Sequence, residues 1–316
     1  MKRGVFDVLR RGFDNTLANW PVILVRLGAM LLIGALAIAT VIVIILPILV
    51  SAGIRLSNVE SVDELAEAMW GFLQQWLLLV WIIVAVSVLL LVWIAIHSFV
   101  EAGCARVYVD GERVAGPADG MRERFRVFSM QRWLAGGVDG WWTLFWIYNI
   151  AWAVAGMILL IPLLPTLILM LLLYEQAPVA IGIGCLGLVL TVMLLIVVGV
   201  VTGMWVNRAV VDWAVSGTGA RESLASGWSA IRADFARHLL ITLSIIVVSM
   251  AGGMLFSGFS LFATFGEIAG GDDAPFLPLF LMPVRLAGSF LSSILTAILT
   301  SWYLASYANL AVEGRR

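Results

Sequence analysis

Six stretches of the chain, residues 27–50, 76–96, 141–174, 177–207, 239–266 and 286–312, contain no Asp, Glu, Lys or Arg. About 20 apolar residues cross the ~30 Å hydrocarbon layer as a helix, and each stretch reaches that length. Backbone in hydrocarbon must satisfy its own hydrogen bonds, so such runs fold as helices. Charge is scarce elsewhere too: 12% of the 316 residues are charged and 62% hydrophobic, whereas a soluble domain carries about 25% charged residues. So few charges cannot clothe a soluble fold of this size. Soluble enzymes, nucleic-acid binders and disordered chains are excluded. The predicted fold class is an all-α membrane protein, a single integral domain over residues 1–316 with six transmembrane helices.

The third stretch would be roughly 50 Å long as a helix, so tilt or kinking is expected, with Pro162 and Pro165 as the sites. Glu175 and its neighbours alone separate it from the fourth, which predicts a tight hairpin. Orientation follows from Lys and Arg. Lys2, Arg3, Arg10 and Arg11, then Arg106, Arg113, Arg122, Arg124, Arg126 and Arg132, then Arg208, Arg221, Arg232 and Arg237, and finally Arg315 and Arg316 all fall on one side. Arg55 and the acids Glu60, Asp63, Glu64, Glu67, Glu175, Glu267, Asp272 and Asp273 fall on the other. Both termini are therefore expected in the cytoplasm. Charged and apolar residues alternate up to Asp14, unlike a cleavable signal peptide. The two cysteines, Cys104 and Cys185, fall near opposite faces, so no disulfide is expected.

Self-comparison suggests a threefold repeat, at about 1–111, 112–217 and 218–316. Gly12, Gly120 and Gly227 are nearly equally spaced, each inside a short amphipathic segment before an odd-numbered span. One residue on stand Phe13, Met121 and Trp228; eight on stand Trp20, Phe128 and Phe235. Leu9 and Leu17, Phe125, and Leu224 and Ile231 complete each apolar helical face. The closing marks recur as Val109-Asp110-Gly111, Val215-Ser216-Gly217 and Val312-Glu313-Gly314, and Ala102-Gly-Cys-Ala105 and Ala305-Ser-Tyr-Ala308 precede the first and third. Every hairpin starts on the same side, so the copies are expected to be parallel hairpins, each preceded by a cytoplasmic interfacial amphipathic helix.

The segment 121–134 sets Arg122, Arg124, Arg126 and Arg132 against Glu123 alone. These four arginines are the candidate lipid-headgroup contacts, each worth on the order of 1 kcal/mol on anionic lipid; the alternative is a structural collar obeying charge asymmetry. Trp20, Trp133, Trp141 and Trp142 are expected as interface anchors. Arg26, one turn into the first span, is expected to snorkel.

Chemistry inside the spans is sparse. Arg285 is the candidate deep charge, and an intramembrane charge points to function; alternatively residues 277–283, with Pro278 and Pro283, form a separate interfacial piece and the last span starts at Arg285. Asn149, Ser293 and Thr296 are the other candidate polar-path residues. Gly199-x-x-x-Gly203 and the rows Ser249, Gly253, Ser257 and Ser289, Ser293, Ala297, Ser301 read as close helix packing or as a hydroxyl-lined path between the fifth and sixth spans. His97 and His238 lie near the basic side, and no cofactor is assigned to them. Cys and His show no metal-ligand spacing, no catalytic motif is present, and no enzyme activity is expected.

Interfacial helix, long hairpin and short loop, with Gly12-Phe13…Asn19-Trp20 and Gly227-Trp228…Asp234-Phe235 at their starts, resemble a loose group of bacterial six-helix membrane proteins. These are similar to the membrane domain fused to some glycerophosphodiester phosphodiesterases. The resemblance implies a bacterial cytoplasmic (inner) membrane location, and its hydrolytic activity carries over to no residue here. Three hairpins also look like a mitochondrial carrier, but that signature is absent, since Pro21…Arg26 lacks the acid. Two functions remain. One is a non-enzymatic accessory or scaffold that organises lipids, anionic ones included, or membrane-protein partners. The other is a transporter or lipid-moving protein with a path between spans 5 and 6.

Overall fold

A computed structural model describes residues 3–51, 76–117, 121–173, 176–270 and 277–315. Gly120 and the acids from Glu60 to Glu67, Glu175, Asp272 and Asp273 lie outside them, as do Lys2, Arg55 and Arg316. The helices are α1 (Val5–Ala18), α2 (Pro21–Ser51), α3 (Trp76–Ala115), α4 (Met130–Leu172), α5 (Ala177–Ser216), α6 (Ala220–Ala233), α7 (Phe235–Gly270) and α8 (Leu277–Glu313), with a 3-10 turn at Arg122–Phe125. Six are long and apolar enough to cross a membrane. The chain divides into two compact units, Arg26–His97 and the remainder.

Helices α3, α4 and α5 have 40, 43 and 40 residues. At ~1.5 Å per residue each is about 60 Å long, twice the hydrocarbon thickness. The two halves of these helices differ accordingly. The most apolar windows of the six spans are only 0–17% buried within the protein, as suits surfaces that lipid can cover. The buried core sits at the arginine-rich end, where Val107, Tyr108 and Val109 of α3, Val210 and Val211 of α5, and Leu304, Tyr307 and Leu310 of α8 are all covered. Helix α4 continues through Pro162 and Pro165. Thr166 Oγ1 donates to the Pro162 carbonyl at 2.7 Å, serving one backbone group in that turn. Further along, Gly187 lies against Thr166 and Gly184 against Met170, where α4 and α5 pack together.

Three junctions build the buried end, and glycine sets each. A Cβ on Gly12 of α1 would stand 2.8 Å from the Ser306 backbone of α8. On Gly227 of α6 it would stand 2.9 Å from the Ala209 nitrogen of α5, and on Gly136 of α4 it would meet the Arg106 Cβ of α3 at 2.7 Å and Gly103 at 3.4 Å. The same aromatic clamp recurs beside each glycine. The Trp302 indole N–H donates to the Leu9 carbonyl at 2.7 Å, and that of Trp205 to the Leu224 carbonyl at 2.8 Å. Trp302 meets Phe13, Trp205 meets Trp228 and Phe99 meets Trp133, edge to face at 5.4–5.9 Å. Trp302→Phe and Trp205→Phe should each cost about 1 kcal/mol, one hydrogen bond. Melting temperatures in mild detergent check this; no change in either variant would remove the bond from the account.

Several expectations are corrected here. Residues 121–129 do not form an amphipathic helix: only Arg122–Phe125 turns, as a 3-10 helix flanked by extended backbone at Met121 and Arg126. Gly136, inside α4, packs against Arg106 and Gly103 of α3; Gly120 lies outside the described residues. Trp133 is buried at 8% exposure rather than anchored at an interface, because Gly103 lets its ring pack against α3. Arg26 is only 4% exposed, so protein covers it instead of leaving it to snorkel. Helix α8 runs unbroken from Leu277 through Pro283, so 277–283 is not a separate piece. Cys104 is buried and Cys185 exposed, and no disulfide joins them.

Candidate functional site

The leading helices are two-sided. Helix α1 buries Val8, Leu9, Gly12, Asn15 and Thr16 against protein, while Phe6, Phe13 and Trp20 remain exposed. Phe6 and Phe13, seven apart, share one face of α1, and Trp20 lies two residues past its end. On α6 Trp228 is exposed, as is Phe235 at the start of α7, the positions that match Phe13 and Trp20. An exposed aromatic row beside arginines suits an interfacial surface.

Where α1 meets residues 121–129, a pocket of about 310 Å³ opens, lined by Leu17, Ala18, Trp20, Arg122, Glu123 and Arg126. Arg122 Nη2 donates to the Leu17 carbonyl at 3.0 Å, which satisfies the C-terminal end of α1 and fixes the guanidinium at the pocket wall. Arg124 and Arg126 are exposed. Arg132, also exposed, lies on α4, donates to the Val127 carbonyl and has its Nε 3.9 Å from Asp110 Oδ2. Three of the four predicted headgroup arginines thus stay on the irregular segment, and the fourth braces it.

That segment has no regular backbone pairing, and Asn19 takes its place. Asn19 Oδ1 accepts from the Val127 and Phe128 amides at 3.0 and 2.9 Å, and Nδ2 donates to the Phe125 carbonyl at 2.7 Å. Asn15 Oδ1 accepts from the same Nδ2 at 2.9 Å, and Asn15 Nδ2 donates to the Tyr108 carbonyl at 2.9 Å. Gly111 is needed beside them, since a Cβ there would stand 2.7 Å from Asn15 Oδ1. The Val-Asp-Gly closing mark therefore makes room for this asparagine pair.

Buried acids underlie the same end. Glu112 Oε2 accepts from Arg11 Nε at 2.9 Å and from Asn309 Nδ2 at 3.1 Å. The Arg11 guanidinium also lies 4.8 Å over the Phe125 ring and donates to the Gly116 carbonyl. Asp212 pairs with Arg208 at 3.1 Å and accepts from Ser226. Glu313 accepts from Arg237 and from the Arg3 amide, both at 2.7 Å. Charge asymmetry alone did not single out these acids; the sign was their place within the last turns of the closing helices.

The predicted polar-path residues lie on α4 and α8. Asn149 donates to Phe145, Ser293 to Ser289 and Thr296 to Ser292, each to a carbonyl of its own helix. Of Arg285, Asn149, Ser293 and Thr296, only Thr296 lines the groove of about 480 Å³ between α5, α7 and α8. Arg285 is half-buried two residues beyond Pro283. His97 stacks on Trp93 at 5.8 Å, and His238 Nδ1 donates to the Asp234 carbonyl at 2.9 Å.

Long apolar helices with a polar core at one end define the class: an all-helical, multi-pass membrane protein. Compared with known protein families, with curated proteins and with solved structures, the chain finds no match.

Proposed function

We propose that this is a non-enzymatic membrane protein that organises lipids, anionic ones first, and through them membrane-protein partners, at its arginine-rich face. The carrying observation is the pocket in which Trp20 stands beside Arg122 and Arg126 on a segment fixed by Asn19. An indole suits the headgroup level, and guanidinium groups suit phosphate in geometry and charge. Glu123 in the same wall tempers the charge, so the pocket favours a single phosphate over a dense anionic patch.

The architecture follows as part of the reading: three parallel hairpins, each leading segment seated on the closing helix of another copy. The glycine junctions and tryptophan clamps support it, with α1 on α8 closing the cycle. Both termini are placed in the cytoplasm of a bacterial cell, as the resemblance and the arginine distribution imply.

Purification of the full chain in mild detergent, with mass spectrometry of the retained lipid, tests the headgroup role. Arg122→Gln/Arg124→Gln/Arg126→Gln should lower the ratio of anionic to zwitterionic lipid at least about tenfold, given on the order of 1 kcal/mol per arginine. An unchanged ratio would overturn the assignment. The lipid-moving alternative is favoured by the groove between α5, α7 and α8; exchange of labelled lipid between leaflets of proteoliposomes would carry it, and none would sink it.

A further inference from the structure

Gly199 and Gly203 form a motif that ordinarily lets two helices touch. Here they do not: a Cβ added at either would meet nothing within 4 Å. They form instead part of the wall of the groove between α5, α7 and α8. The opposite walls carry Ile245, Ser249, Thr296 and Thr300. Thr296 and Thr300 turn their hydroxyl protons back to the Ser292 and Thr296 carbonyls of α8, at 2.9 and 2.8 Å. Both threonine hydroxyls are therefore satisfied within α8, and most of the groove's lining is apolar.

Its polarity is gathered at one end. Thr242 donates to the His238 carbonyl at 2.9 Å, so its oxygen accepts from Tyr303 and Tyr307, at 2.9 and 3.0 Å. All three hydroxyl protons thereby have takers inside the cluster. Oxygen lone pairs are what remains for a ligand, and Tyr303 and Thr242 both line the groove. Such an end selects a hydrogen-bond donor.

Seven residues separate Thr242 from Ser249 and Thr296 from Tyr303, about 10 Å of helix. A groove of about 480 Å³, apolar along that length and ending in hydrogen-bond acceptors, matches a hydrocarbon chain with a hydroxyl at its head. We propose that the groove between α5, α7 and α8 holds one acyl chain of a membrane lipid, with a hydroxyl of its head group donating to the Tyr303 oxygen. This rests on the lipid-organising reading only in setting the groove within hydrocarbon, and it is independent of the arginine pocket.

The full chain in nanodiscs, photolabelled with a monoacylglycerol bearing a diazirine in its chain, provides the test. Label is expected on peptides containing residues 195–203 and 242–249 in excess over the other spans. Gly199→Leu should reduce it at least about tenfold by filling the groove, while Gly156→Leu, equally open but on α4, should not. Label spread evenly over all spans, or unaltered by Gly199→Leu in a protein of unchanged melting temperature, would overturn the proposal. So would a shift in oligomer size caused by Gly199→Leu, which would assign the groove to a second helix. For the head group, unlabelled monoacylglycerol should compete about fivefold better than an alkane of equal chain length, the worth of one hydrogen bond. Tyr303→Phe should abolish that preference and keep the chain labelling; equal competition in the unmodified protein would overturn the donor assignment. The lipid ratio set by Arg122, Arg124 and Arg126 should not move in Gly199→Leu, so failure here and failure of the headgroup site read out separately.

Discussion

Glu112→Ala should destabilise the protein by about 3–5 kcal/mol, the range for breaking a buried ion pair by removing one partner. The Arg11 and Glu112 side chains are 6% and 2% exposed, so the guanidinium left behind cannot recover water. Its bond to the Gly116 carbonyl and its place over Phe125 persist, yet these contacts do not replace the charge of the lost carboxylate. Asn309 loses an acceptor in the same step. Because Arg11 sits on α1, Glu112 on α3 and Asn309 on α8, the loss falls where the first and last helices meet. The Arg11→Met/Glu112→Leu double variant should recover most of the stability, since apolar replacement of both charges is often neutral or better. Unfolding by heat or denaturant in one detergent compares the unmodified protein with these two variants. A Glu112→Ala loss below about 1 kcal/mol would mean that water or lipid headgroups reach Arg11, against its burial.

The lipid-facing half of this fold was legible and the polar half was not, for a physical reason. A span announces itself by lacking charge, and hydrocarbon tolerates little else, so all six runs emerge as helices. Glycine spacing pointed to real junctions at Gly12 and Gly227, where a Cβ has no room. In the second copy the spacing pointed to Gly120, which lies outside the described residues; a tight glycine of that stretch is Gly136 of α4, against Arg106 and Gly103 of α3. Gly199-x-x-x-Gly203 shows the converse limit. A small-residue pair states that something can approach closely, and only the neighbouring helices state what. Asn19 was visible in the sequence as part of a starting motif, yet its task lies in backbone groups more than 100 residues away, which no local pattern encodes.

That asparagine yields the second large effect. Asn19→Leu should orphan the Phe125 carbonyl and the Val127 and Phe128 amides together, at about 1–3 kcal/mol for each buried group left without a partner. Much of the loss should stay local, because residues 121–129 have only the single 3-10 turn at Arg122–Phe125 to fall back on. Amide exchange at Val127 and Phe128 should accelerate by at least about tenfold per 1.4 kcal/mol lost. Anionic-lipid retention should fall although every arginine is still present, since Arg122 and Arg126 then lose the frame that holds them beside Trp20. Asn19→Asp divides the effect: a carboxylate oxygen still accepts from both amides, while its other oxygen faces the Phe125 carbonyl without a proton to offer. Exchange at Val127 and Phe128 should then stay slow while global stability drops. If Asn19→Leu left the lipid ratio unchanged with both amides freely exchanging, charge alone would suffice for headgroup binding. The arginine segment would then act as a diffuse collar, and the pocket geometry would carry no specificity.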